Sequence, residues 1–319
     1  MATSISRKSA LPQWSLCFSG AGHLIVYHLG VAKELISQIN SKGESLKTST
    51  LPQIHSVAGS SSGALAAAAL GYFPDRIEEY ADRFLQDRGH AFRHFQQMLI
   101  DQETKRNVPG LSKSELTTQQ NRIQPQWLGV ATTECSTGAL HMFEFDTSLP
   151  FHKGTDHSSY ERLLSAVQAS CAIPQTFHPW DLFSKYPSTY PDDDGIEIDG
   201  SYFVDGGIAA PCPVWHKNAE QQQTDANVIL ISPTSGSSSS APPVLGSIRP
   251  SDSSFKFPLV GDLSPRGENG VFRIRPSVQN LRGFVASAGA VHPQILHDFY
   301  QRGIEDANAF WNNWEEGQG

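Results

Sequence analysis

The stretch Q-I-H-S-V-A-G-S-S-S-G-A-L-A-A-A-A-L-G-Y, from Gln53 to Tyr72, holds a G-x-S-x-G match at Gly59 to Gly63, with Ser61 in the nucleophile position. Ile54 to Ala58 leans toward β structure and Ala64 to Leu70 is a run of strong helix formers, the strand, turn and helix context that such a serine requires. A serine in so sharp a turn has its neighbours' backbones close by, and a side chain at Gly59 or Gly63 would crowd it. The helix that begins just after Ser61 points its first N–H groups at any oxyanion formed there. The same small residues also suit plain close packing of a strand on a helix, so this stretch leaves both a nucleophile and a packing seam open.

Upstream, Trp14 to Phe18 reads as a short buried strand that runs into glycine. After Ser19-Gly20-Ala21-Gly22-His23, the segment Leu24 to Ile39 carries Ile25, Leu29, Ala32, Ile36 and Ile39 at spacings of three and four, an amphipathic helix. Asn40 to Pro52 is a polar loop without periodicity. Two strands joined by a crossover helix are parallel, and the right-handed crossover puts the Gly20 to Gly22 loop and Ser61 at one edge of the sheet. A dinucleotide-binding turn would need a third glycine where Ile25 stands, and an acidic residue near Ala58 and Gly59. An oxyanion hole asks only for exposed N–H groups on small residues, which Gly20, Ala21 and Gly22 supply.

Downstream, Ile77, Tyr80, Ala81, Phe84 and Leu85, then Phe92, Phe95, Met98 and Leu99, form two apolar helical stripes after Pro74. Arg83, Arg88, Arg93, Lys105 and Arg106 thread this region as a solvated face or a headgroup-contacting patch. Trp127 to Thr132 and Ala139 to Phe145 read as two strands joined by a turn, and Tyr160 to Ser170 as a helix that ends before Pro174. Pro187 to Gly200 is an acidic loop whose Asp192, Asp193 and Asp194 lack the ligand spacing of a calcium-binding loop. Ile198 to Val204 then reads as a strand that delivers Asp205-Gly206-Gly207. An Asp-Gly pair is often only a hairpin turn. Here Ile208 to Val214 does not alternate like a returning strand, and a carboxylate at a strand end before two glycines is placed to accept a serine proton.

A chain of 319 residues buries a sizeable core, and its 39% hydrophobic content is ordinary for a globular protein. The net charge of −8 argues against nucleic acid as the main partner, since phosphate binding needs a basic face. Cys17, Cys135, Cys171 and Cys212 lie far apart with no C-x-x-C pair, so neither a zinc site nor a disulfide framework is indicated. The N-terminal residues carry no signal-type apolar core and no run reaches spanning length, which sets the expectation of a cytosolic protein.

Four segments in order, F-S-G-A-G-H-L-I-V-Y-H-L-G-V-A from Phe18, G-S-S-S-G from Gly59, A-S-C-A-I-P from Ala169 and D-G-G from Asp205, resemble those of patatin-like acyl hydrolases. The resemblance is strongest to the branch that contains adiponutrin and adipose triglyceride lipase. It implies a single domain over residues 1–319 with a three-layer α/β/α fold and a motif-bearing core over about 14–215. It further implies a Ser61–Asp205 dyad, an oxyanion hole at Gly20, Ala21 and Gly22, and no metal or organic cofactor. Ser19 replaces the frequent aspartate before the loop, Ile25 the glycine that usually closes it, and Pro211 the asparagine that commonly follows D-G-G.

Two functions are compatible with these residues. One is a serine esterase acting on glycerolipids at a membrane or lipid-droplet surface. The other, motivated by Ile25 and Pro211, is a catalytically silent lipid-binding relative. His216, His292 and His297 come after Asp205, so residue order admits a triad. Yet only two strands precede Ser61, too few for a conventional α/β-hydrolase, and Asp205 is expected to act directly. Residues 233–269 are Ser-, Pro- and Gly-rich without periodicity. A final helix from about His292 presents Ile295, Phe299, Ile304, Ala307, Trp311 and Trp314 near one face, for core packing or for a membrane interface.

Overall fold

The computed structural model describes residues 13–45, 52–87, 90–106, 123–148, 157–176, 189–210, 212–215, 227–233, 271–274 and 292–316. The described strands are β1 (Gln13–Phe18), β2 (Gln53–Ser60), β3 (Trp127–Glu134), β4 (Leu140–Asp146), β5 (Ile196–Ile198), β6 (Ser201–Asp205), β7 (Asn227–Ile231) and β8 (Val271–Ile274). The helices are α1 (Ile25–Ser45), α2 (Ser62–Tyr72), α3 (Ile77–Gln86), α4 (Ala91–Arg106), α5 (His157–Ser170), the single turn α6 (Gly206–Ala209) and α7 (Pro293–Glu316).

One sheet runs β5-β6-β3-β2-β1-β7-β8, with β4 also on β3. The run from β3 through β8 is parallel, while β4, β5 and β6 pair antiparallel. The near-continuous apolar runs of β1, β2 and β7 are what strands covered on both faces require. Trp14, Leu16 and Phe18 of β1, with Ile229 and Ile231 of β7, share one core with the helices. Cys17, Ala58, Val228 and Leu230 face the other way and pack with Cys212 and Trp215. This is the expected α/β architecture, a mostly parallel sheet flanked by helices.

Two readings change. The polar stretch after Asn40 is helical as far as Ser45, because α7 lies alongside: Lys42 pairs with Glu315 and sits 5.8 Å from the Trp311 ring. Local sequence carried no periodic signal there, and tertiary support overrides it. Second, Ile198 to Val204 is not one strand but the two arms of a hairpin, β5 and β6, reversed at Asp199-Gly200, where φ is 54° and 82°. Two consecutive positive φ values are the type I′ turn that Asp-Gly favours. The apolar face of α7 takes the core-packing role of the two expected for it: Trp311 and Trp314 are buried edge-on to Trp14, at 5.6 and 5.2 Å.

The helices of the two apolar stripes and the β3–β4 hairpin form where expected, and the stripes are mostly buried. Of the basic residues threading that region, Arg83 bonds Glu79 at 2.8 Å. Asp192–Asp194 make one 3-10 turn, and Asp194 accepts from the Thr176 hydroxyl at 2.5 Å. Residues 234–269 and Pro211 lie outside the described residues.

Candidate active site

β3 has two partners on one edge. Its residues Trp127 to Ala131 pair in parallel with Ser56 to Ser60, whereas Thr132 to Glu134 pair antiparallel with Asp205 to Phe203. Since β4 occupies the opposite edge from Trp127 to Thr133, β2 and β6 lie end to end along the first. Ser60 is aligned with Ala131 and Asp205 with Thr132, its next neighbour. The chain therefore has to turn out of β2 at Ser61, where β6 arrives head-on with Asp205.

Ser61 makes that turn with φ 52° and ψ −132°, as the N-cap of α2. Such backbone in a non-glycine residue costs on the order of 1–3 kcal/mol and persists only where the surroundings hold it. They do so closely. A Cβ at Gly63 would overlap the carbonyls of Phe18 and Ser19, and one at Gly59 the carbonyl of Gly63, so both motif glycines are required by backbone contact. The Ser61 N–H donates to Ser170 Oγ at 2.9 Å.

The glycine loop meets the serine, as the crossover argument predicts: a Cβ at Gly20 would stand 3.2 Å from Ser61 Cβ. Of the three N–H groups expected to form an oxyanion hole, that of Ala21 already donates to Ser62 Oγ at 3.0 Å. This leaves Gly20 and Gly22 as the loop's candidates. Ile25 has φ −46° and ψ −33°, ordinary helical backbone at the start of α1, and its side chain is buried in the core. The conformational freedom of glycine is therefore not needed at that position.

Asp205 is 5% exposed and caps α6, its Oδ1 accepting the Gly207 N–H at 2.7 Å. Ser61 is its neighbour: a Cβ at Gly207 would stand 3.0 Å from Asp205 Oδ1 and 4.0 Å from Ser61 Cβ. Burial raises the carboxyl from 3.8 to about 6, against the opposing pull of the Gly207 N–H and Ser61. The group is thus ionised at neutral pH yet a far better base than an exposed aspartate. Thr133 donates to the Asp205 carbonyl at 2.8 Å and accepts from the Ala209 N–H at 3.2 Å, while the Asp205 N–H donates to the Ala172 carbonyl at 2.9 Å. Cys171 remains a neutral thiol, since burial and the Asp205 charge hold it well above its usual range.

No histidine is among the groups that set the protonation of Asp205. His292 and His297 are exposed at the start of α7, and His216 lies outside the described residues. Ser170, Ala172 and Thr133 were not foreseen as site residues. The first two belong to the A-S-C-A-I-P segment, which stood out in sequence without a role; nothing marked Thr133.

The fold is similar to the crystal structure of VipD from Legionella pneumophila, with a TM-score of 0.44 and 12% identity over 95% of this chain and 67% of that one. It is also similar to the ExoU–SpcU complex from the type III secretion system of Pseudomonas aeruginosa, with a TM-score of 0.37 and 11% identity. In that case 95% of this chain is covered and 51% of the other, so it spans about half of that chain's length. No curated protein sequence matches the chain. The patatin-like phospholipase family model matches residues 16–216, which include the glycine loop, Ser61, the Ala169 to Pro174 segment and Asp205. With well over half of its length so matched, the chain belongs to the patatin-like phospholipase family.

Proposed function

We propose that the protein is a serine acyl hydrolase that cleaves ester bonds of glycerolipids, with Ser61 as nucleophile and Asp205 as base. One observation carries this reading: a serine in left-handed backbone at a strand–helix elbow meets the end of β6, where the buried Asp205 carboxyl is raised to about 6. Asp205 takes the Ser61 Oγ proton as Oγ attacks the ester carbonyl. The tetrahedral oxyanion faces the N-terminus of α2 and the N–H groups of Gly20 and Gly22, with Ala21 fixed by Ser62. Collapse expels the alcohol, which leaves with the proton from Asp205. Water, deprotonated by the same carboxylate, then attacks the acyl-enzyme and releases the fatty acid. These steps use no metal and no organic cofactor.

Within the family we place the chain in the branch of adiponutrin and adipose triglyceride lipase, on the serine at position 19 before the loop. Access is proposed to be interfacial and peripheral. No described helix is long and apolar enough to cross a membrane. One large apolar side chain exposed among the described residues lies near the base instead: Ile173, 67% exposed, follows Ala172, whose carbonyl accepts the Asp205 N–H. Such a side chain suits contact with acyl chains at a membrane or lipid-droplet surface.

A fluorophosphonate probe tests the chemistry: it is expected to label Ser61, and labelling is expected to vanish in Ser61→Ala. A folded wild-type protein that resists the probe sinks the proposal. Profiling of the products released from mixed phospholipid and glyceride then assigns the lipid class. For the surface, Ile173→Asp is expected to weaken flotation with vesicles or emulsified glyceride while turnover of a short soluble ester persists. Unchanged flotation would remove this residue from the interface.

A further inference from the structure

We infer that Ser170 is a positioning residue for the nucleophile, its hydroxyl holding open the fork at which β2 leaves β3. The inference rests on the reading of Ser61 as nucleophile.

Ser170 Oγ accepts the Ser61 N–H at 2.9 Å and donates to the Ala131 carbonyl at 2.6 Å. With Ser60 aligned on Ala131, these two backbone groups are the next to pair if the parallel ladder ran one residue further. A hydroxyl stands between them. It satisfies both groups and keeps the two backbones a side chain apart, so Ser61 can take its positive φ rather than zip onto β3. Ser170 is fully buried, so water is not at hand to replace it. The job requires one donor and one acceptor on a one-carbon stem, which serine supplies and alanine lacks. Two residues on, the Ala172 carbonyl holds the Asp205 N–H at 2.9 Å. The end of α5 thus fixes the backbone of both nucleophile and base, and sets the distance between them.

The test compares wild type with Ser170→Ala, Ser170→Cys and Ser170→Thr, reading turnover of a short soluble ester, the rate of Ser61 labelling by a fluorophosphonate, and the melting transition. In Ser170→Ala, kcat and labelling are expected to fall roughly 10²-fold with KM little changed, as a misplaced nucleophile predicts. Ser170→Thr, which keeps both hydrogen bonds, is expected to recover most of that loss, and Ser170→Cys to fall between. A variant that merely loosens the fold would lower the melting transition without this ordering by hydrogen-bonding capacity. A folded Ser170→Ala that labels at the wild-type rate overturns the inference and leaves the proposed function intact. If wild type itself is not labelled, the proposed function falls first. The crystal structure of Ser170→Ala then decides alone: Ser61 still in left-handed backbone against Asp205 would refute the positioning role. Should Ser170→Ala not fold, Ser170→Cys carries the same comparison.

Discussion

Of the chain's three Asp-Gly pairs, Asp199-Gly200 and Asp205-Gly206 lie at the two ends of β6, and they have opposite fates. At Asp199-Gly200 both residues take positive φ and the chain doubles back on itself, with nothing within 4 Å of where a Gly200 Cβ would stand. Asp199 is exposed and bonds only the Arg162 guanidinium, at 2.8 Å, among the described contacts. At Asp205-Gly206 the aspartate has φ −49° and is buried, and the chain goes on into a helical turn against β3. A Cβ on Gly206 would overlap the Ala131 carbonyl. The dipeptide does not decide between these outcomes; the strand partner waiting beyond it does. Ser201 returns in register opposite Ile198, whereas after Asp205 the next position along β3 is already taken by the end of β2.

Exchanging aspartate for asparagine at each pair gives the widest separation. Asp205→Asn keeps the acceptor for the Gly207 N–H and removes only the charge and basicity, and its turnover is expected to fall by roughly four to six orders of magnitude. Asp199→Asn breaks one exposed ion pair, worth about 0.5 kcal/mol or less, and is expected to leave turnover unchanged. Ester hydrolysis by both purified variants checks this. His292→Ala and His297→Ala belong in the same assay. A folded histidine variant as inactive as Ser61→Ala would replace the dyad with a triad.

Gly206→Ala comes next. The added methyl meets a backbone carbonyl in the middle of the site, so β6 or β3 has to shift, at a cost of about 3 kcal/mol with loss of activity. Denaturant unfolding is the measurement, and a variant as stable as wild type would mean that this junction is looser than its geometry.

The raised carboxyl also makes a pH prediction with a definite sign. The folded state holds the Asp205 proton up to about 6 and the unfolded chain only up to 3.8, so between these values the folded state binds more protons. Stability from this group therefore declines as pH rises through that window, and the cost is fully present above it. Asp205→Asn removes the cost and is expected to be the more stable protein at pH 8, by about 3 kcal/mol, with the advantage nearly gone by pH 4. Activity moves the other way. Hydrolysis needs the carboxylate, so kcat/KM is expected to fall on the acid side with an apparent pKa near 6. A limb near 4 would place Asp205 in water rather than in the buried site.

Both pairs were visible in sequence, and their treatment shows where sequence reasoning has purchase. The elbow at Ser61 and the carboxylate at Asp205 were legible because each lies on a local pattern, small residues between a strand and a helix, and a strand end before two glycines. The parallel order of β1 and β2, and hence the meeting of Gly20 with Ser61, came from connection rules alone. The hairpin was missed because Ile198 to Val204 reads as a single strand if the Asp199-Gly200 turn signal inside it is passed over. The extra turns of α1 were missed because Lys42 and its neighbours are helical on account of α7, distant in sequence. Ser170 and Thr133 were invisible for the same reason: their hydroxyls act on backbone groups 109 and 72 residues away.

The smallest expected effect lies at the exposed pair. Gly200 has φ 82°, which an alanine adopts at a cost of about 1 kcal/mol, and the open space around it adds no clash. Gly200→Ala is therefore expected to lower stability by about that amount and to leave turnover untouched, because the strain stays in a turn that touches neither Ser61 nor Asp205. Unfolding and esterase assays on Gly200→Ala beside Gly206→Ala make the contrast. If Gly200→Ala loses activity in step with Gly206→Ala, the β5–β6 hairpin must be what aims Asp205 at Ser61. The base would then be set from the far end of its strand, and the hydrogen bonds from Thr133 and to Ala172 would not suffice to hold it.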